Sequence, residues 1–188
     1  MLKKIGVDSI ITSNKEEIAN AEKLILPGVG SFDYGMEALN SLGITEILQK
    51  KALENKTPIL GICLGAQLMG NSSEEGKLPG LGLINMVVKK FDATQLPASY
   101  KIPHYGWNHI KIRKDSELFS GFDDDARFYF IHSYHFVQDN AEDILASTNY
   151  GYEFVSAFQR DNIMGVQFHP EKSHKYGLRL LENFTKMQ

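Results

Sequence analysis

Cysteine and long apolar runs are what this sequence has least of. Its 188 residues include a single cysteine, which excludes an internal disulfide and leaves the thiol as either a small core residue or a reactive group. No stretch approaches the roughly 20 consecutive apolar residues of a membrane-spanning helix. The start, Met1-Leu2-Lys3-Lys4-Ile5-Gly6, has neither the apolar segment nor the small-residue cleavage site of a signal peptide. Charge of one sign is not in excess: 20 Lys and Arg against 23 Asp and Glu give a formal net charge of −3. The two signs are interspersed, so no footprint for nucleic acid and no polybasic patch for a membrane is visible. These absences lead us to expect a soluble, cytoplasmic protein. The length suits one α/β domain, residues 1–188, around a single core.

Apolar strand-like runs and helical periodicities alternate through the first third. Val7 to Thr12 reads as a short strand, and Ser13-Asn14-Lys15-Glu16 has the capping-box pattern of a helix start. Lys23 to Leu26 reads as a second strand, entering the turn Pro27-Gly28-Val29-Gly30. Between Ser31 and Asn55, Met36, Leu39, Leu42, Ile44, Ile47 and Leu48 recur at helical spacing with a break near Gly43, predicting two consecutive helices. Pro58 to Ile62 is wholly apolar, as a strand buried on both faces of a parallel sheet would be. This order predicts a doubly wound α/β sheet. After Gly70 strands dominate: Leu83 to Phe91, Trp107 to Ile112, Arg127 to Val137, Asp143 to Thr148, Phe154 to Gln159 and Ile163 to Phe168. They predict an antiparallel extension, closed by a helix from about Lys175 to Lys186.

Gly61-Ile62-Cys63-Leu64-Gly65 fits the nucleophile-elbow pattern with cysteine in place of serine. Glycines two residues to either side permit a tight strand-to-helix turn that projects the side chain near a helix N-terminus. An isolated cysteine is more often a core residue, but these flanks favour a nucleophile. A thiol nucleophile needs a base from elsewhere in the chain. Gly165-Val166-Gln167-Phe168-His169-Pro170-Glu171 offers one: an apolar strand ends in His169, Pro170 stops it, and Glu171 can hold the far ring nitrogen of the imidazole. Alone, His-Pro-Glu would read as a plain turn. With the elbow it reads as a Cys63–His169–Glu171 triad.

Taken in order, Pro27-Gly28-Val29-Gly30, Gly61-Ile62-Cys63-Leu64-Gly65-Ala66-Gln67 and Gln167-Phe168-His169-Pro170-Glu171 resemble the motifs of the class I, triad-type glutamine amidotransferases. The resemblance runs over nearly the whole chain. It implies an α/β fold with a doubly wound, mostly parallel sheet flanked by helices. It also implies a thioester glutaminase acting on L-glutamine without a metal or other cofactor, with oxyanion donors at Leu64 and Val29. Gly28, Gly30, Gln67 and the backbone around Ser133 and Tyr134 would bind substrate. On composition alone Gln67 would as often be a solvated helix residue.

Ser72-Ser73-Glu74-Glu75-Gly76, Pro79-Gly80-Leu81-Gly82-Leu83, Pro103-His104-Tyr105-Gly106-Trp107-Asn108 and Phe128 to Tyr134 resemble the branch of that family serving histidine biosynthesis. Its glutaminases pair with a (β/α)₈-barrel synthase. The implied interface holds Trp107, Asn108, Tyr134 and Lys172, although Trp107 reads equally as a core aromatic and Lys172 as a solvated charge. A paralogue feeding another amidation, a scaffold without catalysis and a stand-alone cysteine hydrolase remain open alternatives. His132 and His135, three apart on an extended strand, would face opposite sides, so no metal site is expected. In the family a strand and turn of the type Ile-Asp-Tyr-Gly-x-Gly-Asn comes first, and this chain begins near the end of the helix after it, so a first strand is expected to be missing.

Overall fold

The computed structural model describes residues 1–187. A 3-10 turn at Leu2–Ile5 leads to α1 (Lys15–Asn20), β1 (Leu24–Gly28), α2 (Phe32–Leu42) and α3 (Thr45–Gln49). Then come β2 (Ile59–Cys63), α4 (Leu64–Leu68), β3 (Ser72–Ser73), β4 (Met86–Lys90), β5 (His104–His109) and β6 (Lys111–Ile112). The chain ends with β7 (Arg127–His132), β8 (Tyr134–Gln138), β9 (Ile144–Tyr150), β10 (Tyr152–Arg160), β11 (Ile163–Val166) and α5 (His174–Lys186).

One mixed sheet runs β1-β2-β11-β10-β8-β4-β3, with β9 on β10 and β6 on β9. Parallel pairing joins β1 to β2, β2 to β11 and the short β3 to β4, and the other contacts in the sheet are antiparallel. Strand β2 lies in the parallel part and is buried along its whole length, which explains its unbroken apolar sequence. Period-two alternation divides its residues between two cores. Ile59 packs with Met36, Leu39, Leu48 and Ala66 under α2, α3 and α4, while Leu60 and Ile62 pack with Val166, Phe168, Leu180 and Phe184 under α5. The helix break near Gly43 is a left-handed cap with φ 63°, a conformation that suits glycine.

Three local expectations are corrected. Val7–Thr12 forms no strand, and Ile10 and Ile11 are largely exposed. Among the described residues nothing pairs with the outer side of β1, and this segment does not use that open edge. The cap of α1 is Asn14, not Ser13: Asn14 Oδ1 accepts from the backbone N–H of Glu16 at 2.9 Å and of Glu17 at 3.2 Å, and its side chain thereby satisfies two of the helix's free donors. The run Arg127 to Val137 is two strands. The chain turns at Ser133, so β7 joins β5 in a separate two-stranded ribbon while β8 enters the main sheet.

Candidate active site

The elbow is built by close packing. Cys63 sits between β2 and α4 with φ 51° and ψ −112°, a strained conformation for a residue with a side chain. A Cβ added at Gly65 would lie 1.8 Å from the carbonyl oxygen of Leu26, and one at Gly61 would lie 2.5 Å from Ala66 Cα. Only glycine therefore lets α4 start so close to β1 and β2. A Cβ at Gly28 would likewise come within 2.7 Å of the Gly65 nitrogen. Register pairs Gly28 with Cys63, so the turn carrying Val29 and Gly30 begins beside the thiol. Val29 is 75% exposed and Gly30 has φ 102°, while Leu64 is buried at the first helical position.

His169 follows β11, which is parallel to β2, so the two strands deliver imidazole and thiol at the same end of the sheet. The backbone of His169 is held from both sides: its N–H donates to Tyr129 O at 2.9 Å, and Ser173 Oγ donates to its carbonyl at 2.6 Å. Ser173 Oγ in turn accepts from the Tyr129 N–H at 3.0 Å. Glu171 Oε1 lies 2.6 Å from His169 Nδ1. Nε2 is buried with no hydrogen bond formed, yet the ring lies near enough to Cys63 for the thiol to act on its charge. Burial opposes protonation, but Cys63 and Glu171 outweigh it and raise the imidazole pKa to about 9. For Glu171, burial works upward, but the His169 hydrogen bond prevails and the carboxyl pKa falls.

Gln67 is buried, and Nε2 donates to Tyr134 O at 3.2 Å and to Gln167 Oε1 at 3.0 Å. Gln167 Nε2 lies 3.7 Å from Cys63 Sγ. Gln167 thus touches the thiol, a role that its place two residues before His169 did not announce. The carbonyl of Ser133 accepts from the Phe91 N–H at 3.0 Å, and Tyr134 is partly buried at the start of β8.

Tyr105, Trp107 and Ile131 are exposed on the β5–β7 ribbon. Trp107 stacks on His174 with ring centroids 5.6 Å apart, and Lys172 Nζ lies 5.5 Å from the Tyr129 ring, itself edge-on to Trp107. Trp107 and Lys172 therefore belong to one aromatic surface. Asn108, next along the strand, points inward, and Nδ2 donates to Asn149 O at 2.9 Å and to His104 at 3.2 Å. His132 and His135 do not face opposite sides as expected. The turn at Ser133 brings both against Phe91, at 5.2 and 4.8 Å between centroids.

Comparison with known proteins places this geometry. Residues 1–187 match the family model of glutamine amidotransferase class-I, and the chain belongs to that family. It is 54% identical to imidazole glycerol phosphate synthase subunit HisH 2 of Methanococcus maripaludis, covering 99% of this chain and 91% of the relative. The subunit HisH 2 of Pseudomonas aeruginosa is 44% identical, covering 100% and 91%. Among solved structures, a glutamine amidotransferase superposes with a TM-score of 0.73 at 20% identity, over 98% of this chain and 90% of the other. The glutaminase domain of Trypanosoma brucei CTPS gives 0.67 at 19%, over 100% and 84%. These two likenesses speak to the fold, a curled mixed sheet flanked by helices.

Proposed function

We propose that this chain is the glutaminase subunit of an imidazole glycerol phosphate synthase, hydrolysing L-glutamine and passing ammonia to a (β/α)₈-barrel synthase in histidine biosynthesis. The observation that carries the chemistry is the strained Cys63 elbow beside an imidazole held at 2.6 Å by Glu171. Identity of 54% to a HisH subunit over nearly the full length supports the pathway.

In this reading Cys63 gives its proton to His169, the thiolate attacks the carboxamide carbon of glutamine, and the carbonyl oxygen takes the negative charge. The backbone N–H groups of Leu64 and Val29 are the donors for that oxyanion. The C–N bond breaks as His169 gives its proton to the departing nitrogen, leaving ammonia and a glutamyl thioester. Neutral His169 then takes a proton from water, hydroxide adds to the thioester, and glutamate leaves as the C–S bond breaks, restoring the Cys63 thiolate beside protonated His169. Glu171 keeps the ring oriented and stabilises its charged form. Gly28, Gly30, Gln67, Ser133 and Tyr134 hold the substrate. Ammonia freed into water would be protonated and diluted, so transfer through a covering partner is chemically sound. That partner seats on Trp107, Lys172, Asn108 and Tyr134.

The test is glutamate release by the purified chain with its barrel synthase. Turnover that is strongly raised by the liganded synthase and lost in Cys63→Ala supports the proposal. Full turnover without any synthase would point instead to a stand-alone hydrolase.

A further inference from the structure

Two buried histidines outside the triad are joined to it by an unbroken line of hydrogen bonds. His132 Nδ1 lies 2.7 Å from the carbonyl oxygen of Tyr134. A carbonyl only accepts, so Nδ1 carries the proton and Nε2 of the neutral ring is a bare acceptor. His104 Nδ1, 3.1 Å from that Nε2, must then be its donor, which leaves His104 Nε2 to accept from Asn108 Nδ2 at 3.2 Å. The Asn108 amide is oriented by its second bond, to Asn149 O. From the other side, Gln67 Nε2 donates both to Tyr134 O and to Gln167 Oε1. The Gln167 amide is thereby turned to donate to Cys63. Every ring and amide in the line has one orientation, set by the carbonyls of Asn149 and Tyr134.

The surroundings keep both rings neutral. His104 is stacked between Tyr150 and Phe130, at 4.0 and 4.7 Å between centroids, and burial pushes its pKa down to about 4. His132 is driven well below the ordinary histidine range by burial and then by His104. No carboxylate hydrogen-bonds to either ring among the described residues.

We infer that His132 and His104 are positioning residues of the glutaminase site: with Asn108 they form a proton-ordered chain that fixes the Tyr134 carbonyl and, through Gln67 and Gln167, the Cys63 sulfur. The inference rests on the glutaminase reading for its kinetic consequence. It also connects the rim of the exposed Trp107 surface to the nucleophile through side chains that each have one hydrogen-bonding arrangement.

Three measurements test it. Nitrogen-15 spectra of the intact chain at neutral pH should show both rings neutral with the proton on Nδ1, and a proton on Nε2 of either ring would overturn the inference. His132→Phe keeps the ring volume and removes the bond to Tyr134, and it should raise the KM for glutamine about tenfold while kcat stays within about threefold, the loss expected for one buried hydrogen bond on the substrate cradle. The same change should alter the alkylation rate of Cys63 by iodoacetamide at least about threefold. His132→Asn keeps an N–H near the Nδ1 position and should recover most of both effects. A folded His132→Phe protein with parental KM and parental alkylation would overturn the inference. Should that variant fail to fold, Asn108→Leu at the outer end is expected to move both readouts the same way by about twofold, and unchanged values there would overturn it equally. Ring protonation and alkylation need no glutamine turnover, so a parent without glutaminase activity would refute the proposed function while these two readouts still decided the chain.

Discussion

His169 and His104 are both buried, 3% and 2% exposed, yet burial decides the charge of only one. His104 lies between aromatic faces and neutral partners, and its pKa falls to about 4. His169 has Glu171 on one nitrogen and Cys63 near the other, and its pKa rises to about 9. Desolvation penalises both charged rings; only a charged partner reverses it. One region thus favours an imidazolium, which the proposed mechanism uses to protonate the leaving nitrogen, and the other favours neutral rings with fixed hydrogen-bond partners.

Breaking the charged region should have the largest effect. Cys63→Ala is expected to lower glutamate release by about four orders of magnitude. It should also pull the His169 titration, followed by NMR, below about 9. Gly65→Ala tests the packing that presents the thiol. With a Cβ 1.8 Å from Leu26 O, it should cost about 3 kcal/mol in thermal unfolding and remove most activity, since backbone must shift. Glu171→Gln should reduce kcat by about 10- to 100-fold, a smaller loss because Glu171 is 47% exposed and water screens it. The same variant should move the His169 titration toward that of His104.

Stability against pH separates the two regions by sign. The raised pKa of His169 contributes stability that is full below about 6.5, the unfolded value, and is lost as pH rises through about 9. The depressed pKa of His104 contributes stability present above about 6.5 and lost as pH falls to about 4. Denaturant midpoints across pH should therefore show a shallower alkaline slope in Glu171→Gln, where Cys63 still acts on His169, and a shallower acid slope in His104→Phe, where His132 and His135 remain. The smallest expected change lies outside both regions. Trp107→Ala should leave the melting temperature near that of the parent, but weaken binding of the barrel synthase by about 2 kcal/mol in titration calorimetry.

Much of the fold was legible because local pattern and burial agree. The apolar run before Cys63 is the fully buried β2, and the helix break at Gly43 is a left-handed cap. The readings that failed concern segments whose structure depends on a distant neighbour. Val7–Thr12 has strand-like residues but pairs with no strand, although the outer side of β1 is open among the described residues. The continuous run rich in aromatic and β-branched residues from Arg127 to Val137 conceals a change of sheet at Ser133. His104 and His132 carried no spacing signal, since 28 positions and an intervening strand, β6, separate them before the ribbon pairs them directly. Gln167 lies within the motif that ends at Glu171, and its contact with Cys63 crosses 104 positions.

By itself the sequence determined the local relations on which the proposed triad rests: a thiol between glycines that permit a sharp turn, and a carboxylate two residues beyond a histidine that ends a strand. Those relations act over a few bonds, where chain geometry leaves little choice. Only the tertiary structure decided which imidazole is charged. That depends on what lies against each ring, Glu171 and Cys63 for one and Tyr150 and Phe130 for the other, and the packing of remote strands sets those neighbours.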